Sequence, residues 1–250
     1  SGNPALSEST FLDLGSGSVV ARPDQAMTLN GTVNKTGLLL LLAVLTAAYA
    51  WSQAIAPDGS MTPAGSLYAI GGAIGGLVLA LVTVFKKTWS PVTAPMYALV
   101  EGLFLGAISA MFEARFPGIV FQAVLATFGT LVAMLLAYRT GMIKATENFK
   151  LGVFAATGGI ALLYLVSFVL SFFGINVPMI HDSGWLGIAF SVFVVVVAAL
   201  NLVLDFDFIE TGVERGAPRY MEWYGAFGLM VTLVWLYVEF LRLLSKIQQR

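Results

Sequence analysis

Glu101, Asp205, Asp207, Glu210 and Glu239, together with Arg242, stand inside or at the ends of long apolar runs. An ionisable side chain within a membrane-spanning segment costs roughly 2.5 to 3.5 kcal/mol on insertion scales, so each one asks for a purpose. Carboxylates held close together in a low-dielectric bundle cannot both ionise cheaply, and the pair then shares a proton. Such an arrangement can sense pH, carry protons or offer hard oxygen ligands to Ca²⁺. Helical spacing sorts the acids further. Asp207, Glu210 and Glu214 follow an i, i+3, i+7 rhythm and share a face, whereas Asp205 points roughly 200° away from Asp207. Plainer roles stand beside these. Glu210 and Glu214 are near Arg215 and Arg219 and suit interfacial ion pairs, Asp207 suits an interfacial pair of its own, and Glu239 is three residues from Arg242 on one helix.

The elements that must position these groups are membrane helices. The 250 residues are 58% hydrophobic and 11% charged, which is more apolar surface than a globular core of this size hides. A spanning helix needs roughly 20 apolar residues, and seven windows meet the need: 37–54, 65–85, 94–112, 119–138, 151–173, 185–206 and 226–244. Turn chemistry separates them at Pro57-Asp58-Gly59, Ser90-Pro91, Pro117-Gly118, Gly174 with Pro178, and Gly216-Ala217-Pro218. The expected fold is an all-α integral membrane protein, a seven-transmembrane-helix bundle over residues 35–250, preceded by a flexible polar tail over 1–34 without a cleavable signal pattern.

Nine basic residues fall on one side of this arrangement: Arg22, Lys35, Lys86, Lys87, Arg139, Lys144, Lys150, Arg215 and Arg219. The opposite loops before the last window hold Arg115. The bias predicts a cytoplasmic N-terminus and a C-terminus on the far side. Arg242, Lys246 and Arg250 then lie on the wrong side for the rule, which makes the last window the least regular crossing. Gly71, Gly72, Gly75 and Gly76 in the second window and Gly102 and Gly106 in the third have helix-contact spacing, read as packing within the chain before dimerisation.

Three segments resemble the Bax inhibitor-1 family, also called the transmembrane Bax inhibitor motif family, and especially its bacterial YccA-like branch. Leu204-Asp205-Phe206-Asp207 looks like the family's aliphatic-Phe-Asp signature, Leu236-Tyr237-Val238-Glu239-Phe240 like its Leu-aromatic-Leu-Asp-Phe, and Ala98-Leu99-Val100-Glu101-Gly102 like its acidic residue before glycine. The resemblance implies a multi-pass protein of the bacterial inner membrane that leaks or exchanges Ca²⁺ in a pH-dependent way. It also implies an aspartate pair between the last two helices as the latch, which by residue match is Asp207 with Glu239. Those two residues would be the Ca²⁺ or proton site. Here Glu replaces the second Asp, and helical rise sets the two residues roughly 13 Å apart in depth. Glu101 is therefore the second candidate partner for Asp207.

Other classes fit less well. The chain has no cysteine and no basic run, which sets aside thiolate chemistry and nucleic acid. A retinal pigment needs a lysine in the last helix, and 228–241 has none. An intramembrane protease needs a helix-borne Ser with His or a Gly-x-Gly-Asp motif. Both are missing, so neither an enzyme nor a bound cofactor is expected. His181 with Asp182 is an external loop pair that could take a metal or a proton. Two functions remain: a pH-sensitive cation pathway, with Ca²⁺ and H⁺ as its ions, and a non-transporting regulatory protein whose partner is another membrane protein, as in stress or cell-death suppression or protease partnership.

Overall fold

The structure is a computed structural model that describes residues 26–171, 173–174 and 184–249. His181, Asp182, Arg22, Arg250 and most of the tail lie outside the described residues. Among those described are seven helices long and apolar enough to cross a membrane. They are α1 Leu29–Ala54, α2 Pro63–Phe85, α3 Ser90–Arg115, α4 Ile119–Arg139, α5 Glu147–Ser171, α6 Trp185–Glu214 and α7 Met221–Gln248, with a short 3₁₀ turn Lys87–Trp89 before α3. The chain is an all-α, multi-pass integral membrane protein.

Several helices outrun their apolar windows. The α1 helix begins eight residues before Gly37, because the Thr28 hydroxyl caps it by accepting from Gly31 N at 3.0 Å. Thr32 and Thr36 then return their hydroxyls to carbonyls four residues back, both at 3.0 Å. In the same way α6 runs on to Glu214 and α7 starts at Met221. Hydropathy marks the hydrocarbon layer, while the backbone ladder continues through the interface. The α3–α4 connection is tight because Gly118 adopts φ 85°, and its amide donates to Glu113 Oε1 at 2.6 Å.

The chain divides into two compact units. The first comprises 26–118 with Phe208–Val231. Small residues set its helix spacing. A Cβ on Gly106 would fall 2.8 Å from Ala47 Cα, one on Gly102 would fall 2.9 Å from Ala43 Cα, and one on Gly72 would fall 2.8 Å from Phe104 Cβ. The glycine repeats therefore serve packing within the chain, bringing α1 and α2 against α3. Buried Glu222 ties the start of α7 to the start of α1, accepting from Thr28 N at 2.9 Å, from Thr28 Oγ1 at 2.8 Å and from the Lys35 ammonium. Tyr97 meets Phe227 edge-on at 5.1 Å.

The second unit comprises Ile119–Asp207 with 232–249. Ile160, Val194 and Val197 form a core joined by Phe190, Tyr164 and Trp235. Outward residues such as Phe121 and Leu162 remain exposed, as lipid-facing side chains must.

Candidate functional site

The polar groups of the second unit follow a helical register. Along α5, Lys150, Thr157 and Tyr164 recur every seven residues, a spacing that drifts only about 20° per step on a straight helix. Each reaches inward. Lys150 Nζ lies 3.1 Å from Asp207 Oδ2 and 3.3 Å from Glu147 Oε1. Asn201 Nδ2 donates to Thr157 Oγ1 at 2.8 Å and to Val197 O at 2.9 Å. The Tyr164 hydroxyl donates to Glu239 Oε1 at 3.0 Å.

A second stripe with the same spacing runs along α7 through Thr232, Glu239 and Lys246. Thr232 faces Asp205, and Lys246 Nζ donates to Ser191 Oγ at 2.9 Å and to Gly187 O at 3.0 Å. Both pairings obey one antiparallel register between α6 and α7, and that register sets Ala198 opposite Glu239. Ala198 is fully buried and has no polar group to offer. Glu239, 1% exposed, is satisfied instead by Tyr164 and by Arg242 one turn along its own helix, whose Nη1 stands 3.1 Å from Oε1. The same nitrogen donates to the Tyr164 hydroxyl at 2.6 Å, and the guanidinium lies 5.0 Å from the Tyr164 ring centroid.

Asp205 is different. It is fully buried, and neither carboxylate oxygen has a hydrogen-bond partner among the described residues. Thr232 is its polar neighbour on α7, and the Asn201 amide one turn away donates to Thr157 and Val197. A charge buried without donors is the most expensive state a carboxylate can occupy. Two residues on, the Asp207 side chain is 25% exposed and paired with Lys150. Glu210 and Glu214 are exposed, in keeping with the face they share with Asp207.

The structure thus brings Glu239 together with Arg242, and gives Asp207 a different cation, Lys150. Since Ala198 is the residue opposite Glu239, Asp207 lies nine residues beyond that point on α6, about 13 Å by helical rise. Glu101 belongs to the first unit, where it is buried on α3 with its carboxylate against Gly76 of α2. No cluster of three or more His, Asp or Glu side chains suited to a metal ion occurs among the described residues.

Sequence reasoning missed Tyr164, Lys150 and Lys246 as members of this site. The signal was present as two seven-residue polar repeats in neighbouring helices, but a tyrosine in an apolar run looks like any other aromatic. Lys246, expected as an awkward basic residue on the far side, is 4% exposed and lies within the unit. Arg242 is likewise engaged. Both are committed to partners inside the helix pack, which removes them from the loop charges that the positive-inside bias counts.

No curated protein and no solved structure matches the chain. A family model described as Bax inhibitor 1 like matches residues 3–249, nearly the whole length. Together with seven apolar helices and acidic groups buried among the last of them, that match places the chain in the Bax inhibitor 1 like family of multi-pass membrane proteins.

Proposed function

We propose that this protein is a pH-sensitive cation pathway, either a Ca²⁺ leak or an H⁺-coupled exchanger, in which buried carboxylates bind protons and cations in competition. Asp205 carries the reading: a fully buried carboxylate on a spanning helix, neither oxygen of which has a hydrogen-bond partner among the described residues. A group so placed is compensated by whatever cation reaches it. A proton neutralises it, whereas a divalent ion gains two hard oxygens, so one site takes either ion but not both. Glu239 lies two helical turns further along the same seam, and Asp207 sits about two turns before the end of α6 with Lys150 as its exchangeable counter-ion. Family membership supports the reading. The chain is further proposed to have no enzymatic role, to need no bound cofactor, and to lie in a bacterial inner membrane with its N-terminus in the cytoplasm.

The sign follows from competition. Lower pH favours the proton at Asp205, so cation flux falls as the medium is acidified. Asp205→Asn imitates the protonated side chain and leaves flux low and insensitive to pH. Purified protein in vesicles with a trapped calcium dye tests this. Absence of flux at every value between about pH 5 and pH 8 rejects the pathway, and unchanged pH dependence in Asp205→Asn rejects Asp205 as its proton site.

A further inference from the structure

Arg242 has a second consequence for the seam, one that rests on the cation-pathway reading. Glu239 is buried in mid-helix, and the register gives it only the methyl of Ala198 across from it on α6. Its negative charge is met by a guanidinium that is itself positioned twice over, by a 2.6 Å hydrogen bond to the Tyr164 hydroxyl and by the face of the same ring. Arg242 is 34% exposed against 2% for the Glu239 side chain, so the cation approaches the acid from the more open side. A guanidinium in this position occupies the place that a mobile cation would take.

We propose that Arg242 is a tethered counter-ion that plugs the Glu239 station of the pathway, with Tyr164 as the residue that positions it. With Arg242 swung away, Glu239 offers two carboxylate oxygens and the Tyr164 hydroxyl offers a third. That is too few for a tight resident metal site and suits weak transit binding, which conduction requires. Lys246, bonded to Ser191, is the next residue of the α7 stripe beyond Glu239.

Luminescence of Tb³⁺, a Ca²⁺-like ion excited through nearby aromatic rings, reads the station without any need for flux. Tyr164, and Trp235 one turn from Glu239, supply the rings. Arg242→Gln is expected to bind Tb³⁺ roughly tenfold more tightly than the unaltered protein in detergent, with the signal displaced by Ca²⁺ and lost in the double variant Arg242→Gln/Glu239→Gln. Tyr164→Phe keeps both charges and removes the hydroxyl that holds Arg242. It is expected to give a smaller gain of the same kind, and it decides the matter if Arg242→Gln does not fold. No gain in either variant, or a gain that survives Glu239→Gln, overturns the plug. Vesicle flux separates this from the wider reading. A Tb³⁺ gain in protein that passes no cation upholds Arg242 as the counter-ion that fills a cation site at Glu239 and rejects the pathway. A pH-dependent flux in unaltered protein, with no Tb³⁺ gain in Arg242→Gln, rejects the plug alone.

Discussion

Replacing Glu222 by alanine removes an acceptor that joins the start of α7 to the start of α1. Its carboxylate takes three donors: the Thr28 amide at 2.9 Å, the Thr28 hydroxyl at 2.8 Å and the Lys35 ammonium. Hydrogen bonds to a charged group contribute about 1.5 to 3 kcal/mol each. The simple sum overstates the loss, because the Lys35 side chain keeps 18% exposure and is rehydrated in part. Breaking a buried ion pair from one side costs about 3 to 5 kcal/mol, and the partial solvation argues for the lower end, about 3 kcal/mol. For a chain of this length each kcal/mol moves the melting temperature by roughly 2 to 4 °C, which predicts a fall of roughly 6 to 12 °C. Thermal unfolding in detergent, followed by tryptophan fluorescence or circular dichroism, measures it. Lys35→Met strands a buried carboxylate and is expected to cost nearly as much, whereas Lys35→Met/Glu222→Met removes both charges and costs clearly less than the two single changes added together. A shift below about 2 °C for Glu222→Ala, or strict additivity in the double variant, would refute the clamp.

Two further outcomes follow from local geometry. Gly106→Ala drives a Cβ into the backbone of Ala47 and is expected to cost about 1 to 3 kcal/mol. Gly129→Ala, where the added Cβ meets nothing within 4 Å, is neutral or stabilising by about 0.5 to 1 kcal/mol; melting temperatures of the pair provide the comparison. In the α1–α2 loop, the Ser60 hydroxyl at 2.7 Å and the Ser60 amide at 2.9 Å hold the Asp58 carboxyl below its ordinary value. The small stabilisation this gives is present above the ordinary aspartate value and is lost as pH falls through the lowered one. Ser60→Ala moves the Asp58 titration upward, as carboxyl NMR would register.

The seven crossings were legible because each apolar run ends in turn residues and has the length that a spanning helix needs, about twice that of a spanning strand. The rotation of α6 could be worked out in part. The 200° between Asp205 and Asp207 separates a buried acid from a partly exposed one, as the structure has it. Which of the two faces inward could not be read, because α6 is apolar all round and gives no amphipathic cue. The i, i+3 relation of Glu239 and Arg242 was visible, while their shared partner Tyr164 lies 75 residues from Glu239. The Lys35–Glu222 pair spans 187 residues and has no local trace. Side chains such as Lys246 were assigned to a surface by their charge alone, and packing against Gly187 and Ser191 overrode that default.

Competition between proton and cation at Asp205 underlies the proposed pathway. It is tested most directly by the ratio of initial Ca²⁺ flux at about pH 8 to that at about pH 6 in vesicles, for unaltered protein and for Asp205→Asn reconstituted at equal density. The expected ratio is well above one for the unaltered protein and close to one, at low flux, for Asp205→Asn. Equal ratios in the two proteins, or a ratio below one in the unaltered protein, would contradict it.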